Sequence, residues 1–268
     1  MDPIITALSS AGMHPEDIDF VLAAGAGRIP GNTTVTAFGY ASNVASGVAT
    51  RAIWEVAADW VAPLSAVSIE LLSYSASDGV ARTGARQVRI TGVDANFLVQ
   101  TETITMNGTA PVASALTWRA INNLIVVDNA TTGYGSNRAN VGNITARIPG
   151  PGATQAHIAA GRSTSLLGRF TVPAGYTWLI NNFFFNGNAT GSPNASYHVA
   201  ARSFTDTGLL ISGLPLTMQN GQVLQISLPK TPVPIAEKRT FMFVITETSA
   251  AGMDISVGCT GILSANPD

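Results

Sequence analysis

This chain has little charge. Only 11% of its 268 residues are Asp, Glu, Lys or Arg, and lysine occurs twice, at Lys230 and Lys238. Net charge is −2, so there is no basic footprint for nucleic acid or for an anionic membrane surface. Asn, Thr, Ser, Gly and Ala stand where Lys and Glu stand in ordinary soluble proteins. Such a surface suits contact with other protein better than contact with water. The positive charge is carried mostly by arginine, whose planar, weakly hydrated guanidinium fits interfaces. The chain therefore reads first as a subunit of an assembly and second as an enzyme.

Cysteine is nearly absent too. A single residue, Cys259, excludes an internal disulfide framework and a cysteine-based metal site. It lies in the alternating apolar run 255–263, which predicts a buried, inert thiol. Long apolar runs are missing: no window supplies the roughly 20 residues of a membrane-spanning helix. The first residues lack a basic region before an apolar one, so no signal peptide is expected.

What is present is β-strand signal, and the expected class is all-β: antiparallel sandwich or jelly-roll modules. Residues 1–50 read as an extended or short-helical N-terminal arm. Pro3 and Pro15-Glu16-Asp17 suit first helical turns. The arm is either a disordered leader or a docking segment ordered by a partner. From residue 51 onward, strands are predicted over 67–73, 87–91, 97–106, 118–128 and 143–148, forming a module over 51–148. Pro149-Gly150-Pro151-Gly152 is a module boundary or a long turn. A second module over 153–268 holds strands at 154–159, 163–172, 177–185, 196–204, 209–218, 223–228, 239–246 and 255–263; one continuous unit over both is the alternative. Asn186-Gly187 and Asn220-Gly221 supply turns, and this spacing favours a sandwich or jelly roll. In 178–185, strict alternation puts Trp178, Ile180 and Phe184 on one face and Leu179, Phe183 and Phe185 on the other. A strand apolar on both faces needs cover on both sides, from a second layer or a neighbouring subunit.

Signals for chemistry are sparse. His14, His157 and His198 are dispersed, without the paired spacing of metal ligands, and no Gly-x-Ser-x-Gly elbow is present. The glycine-rich stretch 24–31 lacks the Gly-Lys-Ser/Thr end of a phosphate loop. Glu70, Glu102, Asp78, Asp94 and Asp128 are candidates for a glycosidase pair, but they are scattered; Asp78 and Asp94 read better as turn residues. Trp54 and Trp60 plug a core or contact, or else form a carbohydrate platform. The Asn-x-Ser/Thr sequons at Asn107, Asn129 and Asn194 arise readily in a chain rich in Asn and Thr. No catalytic, cofactor or metal site is assigned.

One set of motifs goes further. Ile53-Trp54 follows the polar arm. After it come the loop Ser73-Tyr74-Ser75-Ala76-Ser77-Asp78, the turn Thr83-Gly84-Ala85-Arg86 and the strand Val88-Arg89-Ile90-Thr91-Gly92-Val93-Asp94. Then follow the segment 102–112, Trp118-Arg119-Ala120-Ile121-Asn122, Gly142-Asn143-Ile144-Thr145 and Phe170-Thr171-Val172-Pro173-Ala174-Gly175. Over residues 50–263 this order resembles tailed-bacteriophage virion structural proteins of the capsid cement or decoration type. The resemblance implies a non-enzymatic subunit on the capsid surface, made in the bacterial host's cytoplasm. Its partners would be the major capsid protein and itself, as a homotrimer. A tail or fibre component recognising host polysaccharide is the alternative. The resemblance implies no catalytic residue and no cofactor.

Overall fold

The computed structural model describes residues 23–24, 28–47, 50–129, 139–189, 192–228 and 230–267. The helical turns expected near Pro3 and Pro15, and His14 with them, lie outside these residues. The described chain is all-β, built from antiparallel sheets packed together.

Seventeen strands run in chain order: β1 (Asn32–Val44), β2 (Arg51–Ala52), β3 (Val67–Ser73), β4 (Ala85–Val93), β5 (Val99–Thr105), β6 (Val112–Trp118), β7 (Ala120–Asn129), β8 (Ile144–Arg147), β9 (Thr154–Ile158), β10 (Arg169–Thr171), β11 (Tyr176–Ala189), β12 (Ser196–Phe204), β13 (Leu210–Gln219), β14 (Val223–Ser227), β15 (Val233–Ile235), β16 (Thr240–Thr248) and β17 (Met253–Ala265). They form four sheets. The first is ordered β1-β17-β11-β14, with β15 also on β11; the second is β10-β16-β12-β13, with β2 on β16; the others are β6-β3-β8-β9 and β5-β4-β7.

The first two sheets face each other across an aromatic core of Trp178, Phe183, Phe185, Phe241 and Phe243. Phe241 and Phe243 meet edge to face at 4.9 Å, a geometry worth about 1 kcal/mol beyond simple burial. A second core joins the other two sheets through Ile69, Leu71, Val88, Ile90, Trp118 and Leu124, and it also takes in Ala200, Met242 and Val244 of the second sheet.

The structure departs from the sequence reading at β6 and β15, which were not expected, and at 163–172, where only Arg169–Thr171 is strand. Two further departures bear on surfaces. First, residues 32–44, placed in the arm, are a full strand. β1 pairs with β17 from Asn32↔Ser264 to Val44↔Met253. Its run of threonines has Val35, Ala37 and Ala41 facing inward, against a partner strand at the far end of the sequence. Second, β11 is not apolar on both faces. Its register against β17 shifts between Ile180 and Asn182, so Asn181 is an extra residue. The bulge resets the alternation. Trp178 and Ile180 before it, and Phe183 and Phe185 after it, all point into one core. The strand needs no second apolar cover, so the proposed subunit contact around 178–185 loses its stated reason.

Candidate functional site

The residues with chemical potential are dispersed, and each has a local structural task. Cys259 lies on the inner face of β17 between Ala37 and Phe183, and burial pushes its thiol well above the usual range. His157 is buried on β9 with Nδ1 3.3 Å from the Thr145 hydroxyl; burial lowers its pKa. His198 lies on β12, 3.9 Å from Glu247. Among the described residues no group of three or more His, Cys, Asp or Glu could hold a metal ion.

The five candidate carboxylates do not converge; among the described residues none shares a hydrogen-bond or ion-pair partner with another. Glu70 pairs with Arg147 across β3 and β8 at 2.6 Å. Asp94 accepts from the N–H groups of Asn96 and Leu98, closing its own turn as expected. Asp128 is exposed at the end of β7. Asp78 does more than turn the chain. Its buried carboxylate accepts from Ser73 Oγ at 2.6 Å, from the N–H groups of Ala85 (2.8 Å) and Val141 (2.9 Å) on Oδ1, and from that of Gly142 (2.8 Å) on Oδ2. It ties the end of β3, the start of β4 and the approach to β8 into one knot.

The tryptophans are interior. Trp54, Trp60, Trp118 and Trp178 are all buried, so none forms an exposed carbohydrate platform. Trp54 and Trp60 instead hold Arg169, whose guanidinium carbon lies 5.1 and 4.3 Å from their ring centres. Arg169 is only 2% exposed; it donates to the carbonyl of Gln155, and Nε and Nη1 have no hydrogen-bond partner among the described residues. Burial lowers its pKa to about 9. Rings rather than a counter-ion stabilise this cation. Sequence reasoning missed it; the signal was an arginine amid the apolar residues of 163–172.

A cavity of about 150 Å³ opens beside this box, lined by Trp60, Phe97, Arg119, Thr171, Phe204 and Met242. Arg119 stands over the Phe97 ring at 5.4 Å and donates to the carbonyls of Pro63 and Asp206. It joins the segment before β3 to the loop after β12. Asp206, Thr205 and Thr240 complete its polar lining, and no histidine or cysteine is among the described residues that line it.

The surface carries more information than the interior. Sheet edges offer unpaired backbone groups, which folded proteins usually cover. Here most are covered by specific groups. Glu102 on β5 accepts from the N–H groups of Ala115 (2.7 Å) and Leu116 (3.3 Å) on β6, while Gln100 donates to Thr117 O at 2.6 Å. Asn122 on β7 exchanges two hydrogen bonds with the backbone of Thr171 on β10. The N–H of Gly168 bonds Phe38 O on β1, and Arg169 takes Gln155 O on β9. Among the described residues the edges without such cover are β13, the line of β14 and β15, and the stretch of β1 around Thr34 and Thr36. The first two belong to facing sheets and lie on the same side, because β13 and β14 are joined by the tight turn at Asn220-Gly221. Leu209, Leu210, Leu214 and Val223 are exposed there, Val223 at 73%. No charged residue stands between Asp206 and Lys230.

No family model matches the chain, and no curated protein matches it. Solved structures give faint similarities. The infectious bursal disease virus VP2 subviral particle aligns over 87% of this chain and 72% of its own, at 10% identity and TM-score 0.26. The T13 particle of the same virus aligns over 88% and 71%, at 9% identity and TM-score 0.25. The PBSX exported protein XepA aligns over 84% and 86%, at 9% identity and TM-score 0.21. The first two are virus particle proteins; at these scores the similarity carries no argument about this chain.

Proposed function

We propose that this chain is a non-enzymatic virion structural protein that binds the outer capsid surface as a cement or decoration subunit. The observation that carries the reading is the outer face of the sheet β1-β17-β11-β14. Register and alternation place Phe38, Gly258, Phe184 and Gln225 in one row across it, and Thr36, Thr260, Asn182 and Ser227 in the next. Neither row holds a charge, and Phe38 is 50% exposed. Two adjacent uncharged rows suit contact with protein, and they match the scarcity of charge in the whole chain. The motif resemblance to phage virion proteins points the same way.

The reading has two sandwich modules, 51–148 and 153–268, with β1 and β2 paired into the second and β9 into the first. It has homotrimers at local three-fold positions, with the major capsid protein as partner. Many weak contacts on a lattice add up, since each bound copy raises the effective concentration of the next contact. The tail or fibre alternative loses one of its supports, exposed tryptophans, because all four are buried.

Copy number in purified particles, by quantitative mass spectrometry against the major capsid protein, tests the reading. A large lattice-compatible ratio supports it; a handful of copies moves the protein to the tail or a fibre; absence from particles overturns a structural role. The arm is tested separately by deleting residues 2–22, because a deletion reaching residue 45 would also remove β1. Equal capsid binding by this truncated chain and the full chain would remove the arm from the contact.

A further inference from the structure

We infer that two copies of this chain join through β14, edge to edge and antiparallel, merging the sheet of one copy with that of the other. The contact stands on strand geometry and not on the virion reading.

The argument starts from the backbone. The N–H of Leu228 donates to Asn181 O on β11 at 2.6 Å. In an antiparallel pair, residues alternate between facing the partner and facing away. Leu224 and Ile226 are in step with Leu228, so Val223, Gln225 and Ser227 direct their N–H and C=O groups to the open edge. These are unspent pairing groups on a strand with no charge to repel a visitor.

The neighbouring edges are blunted where this one is not. Pro215 interrupts β13 and Pro234 interrupts β15, and a proline in a strand removes a ladder donor. β14 has no proline and no lysine and, among the described residues, no covering side chain. The seam between β5 and β6, by contrast, is closed by Gln100 and Glu102. One chain therefore seals one pair of edges and leaves another free.

A second copy is the occupant that fits. A two-fold contact uses the same patch on both sides and closes on itself, so it forms no open fibre. With Gln225 on the axis, Val223 pairs with Ser227 of the partner subunit, and all five residues of the strand are used. In this register Lys230 falls beside the uncharged Asn220 of the partner subunit, and no like charges meet. Exposed Val223 on β14, with exposed Leu214 on the adjoining β13, gives the seam apolar surface to add to the backbone pairing.

Cysteine crosslinking of the full chain tests this. Cys259 is buried, so it does not compete. Gln225→Cys places two thiols across the axis at a Cα separation of about 5.5 Å, within disulfide range. A covalent dimer should form about tenfold faster than with Thr101→Cys on the sealed β5 edge, because pairing makes the reaction effectively intramolecular. Sedimentation of wild type should give a species containing this dimer. Gln225→Pro, which removes only an outward N–H, should abolish it without lowering the melting temperature. If Gln225→Pro fails to fold, Val223→Lys, at an exposed position, serves instead. A wild-type chain that sediments as a monomer, crosslinking no faster at 225 than at 101, or association unchanged in the folded edge variant would each overturn the contact.

Discussion

The knot at Asp78 makes the sharpest demand on stability. Asn is nearly the same shape as Asp, so Asp78→Asn changes chemistry and little else. The amide has one acceptor oxygen where the carboxylate has two. Placed at Oδ1, that oxygen still accepts from Ala85 and Val141, while the NH2 then faces the N–H of Gly142, donor against donor. The Ser73 hydroxyl can rotate to accept. The reverse orientation sets two N–H groups against the NH2 and is worse. The cheaper arrangement therefore leaves one buried N–H unsatisfied and weakens charge-assisted bonds to the others, about 2–4 kcal/mol in all. For a chain of this size that lowers the melting temperature by roughly 5–12 °C. Asp78→Ala orphans all three N–H groups and should cost more. Gly84→Ala gives an independent check, because its Cβ would stand 2.1 Å from Asp78 Oδ1 and push the carboxylate off its donors. Thermal and urea denaturation of the three variants measures the effect. Asp78→Asn and Gly84→Ala melting within about 1 °C of wild type, below the scale of one lost buried hydrogen bond, would refute the reasoning.

Other consequences are open to measurement. Gly187→Ala would bring a Cβ within 2.5 Å of the buried Tyr197 ring, and overpacking there should cost about 2–3 kcal/mol in urea denaturation. His157 has its pKa lowered from 6.5 by burial, so below pH 6.5 the unfolded chain takes up a proton that the folded chain refuses. Stability should thus fall as pH drops from 6.5 towards the folded pKa, and His157→Gln should flatten the melting temperature over that window. Glu102→Lys strips the cover from the N–H groups of Ala115 and Leu116, and should raise concentration-dependent association measured by light scattering. Cys259 should resist a thiol reagent at pH 8 in the native chain and react once the chain is denatured.

Much of the fold was legible because strands announce themselves locally. Leu224, Ile226 and Leu228 alternate with Gln225 and Ser227, and the structure turns them to opposite sides as expected. What alternation cannot show is an extra residue. Asn181 is an ordinary asparagine in sequence, yet the bulge it makes reverses the facing of Phe183 and Phe185 and converts an apparent two-faced strand into a one-faced one. β1 was concealed for another reason: its partner, β17, lies at the far end of the chain, and nothing local marks a threonine-rich run as paired. The interior groups were legible in part. Cys259 was read as buried; Asp78 was read as a turn residue, and its turn was visible where its four donors, drawn from residues as distant as Gly142, were not. Arg169 escaped because stacking between two rings from a separate loop leaves no spacing to read.

The pairing of β1 with β17 also sets a timetable. A ribosome adding about 5–20 residues each second needs roughly 10–40 seconds to go from β1 to β17. Throughout that interval β1 waits with its principal partner strand unmade, and loop-closure entropy must be met before the pairing gives anything back. The central strand of the first sheet is therefore the last to arrive, and the sandwich closes late. The chain spends its youth with an uncharged edge exposed, and its yield in a cell should depend on temperature and crowding more than its final stability suggests.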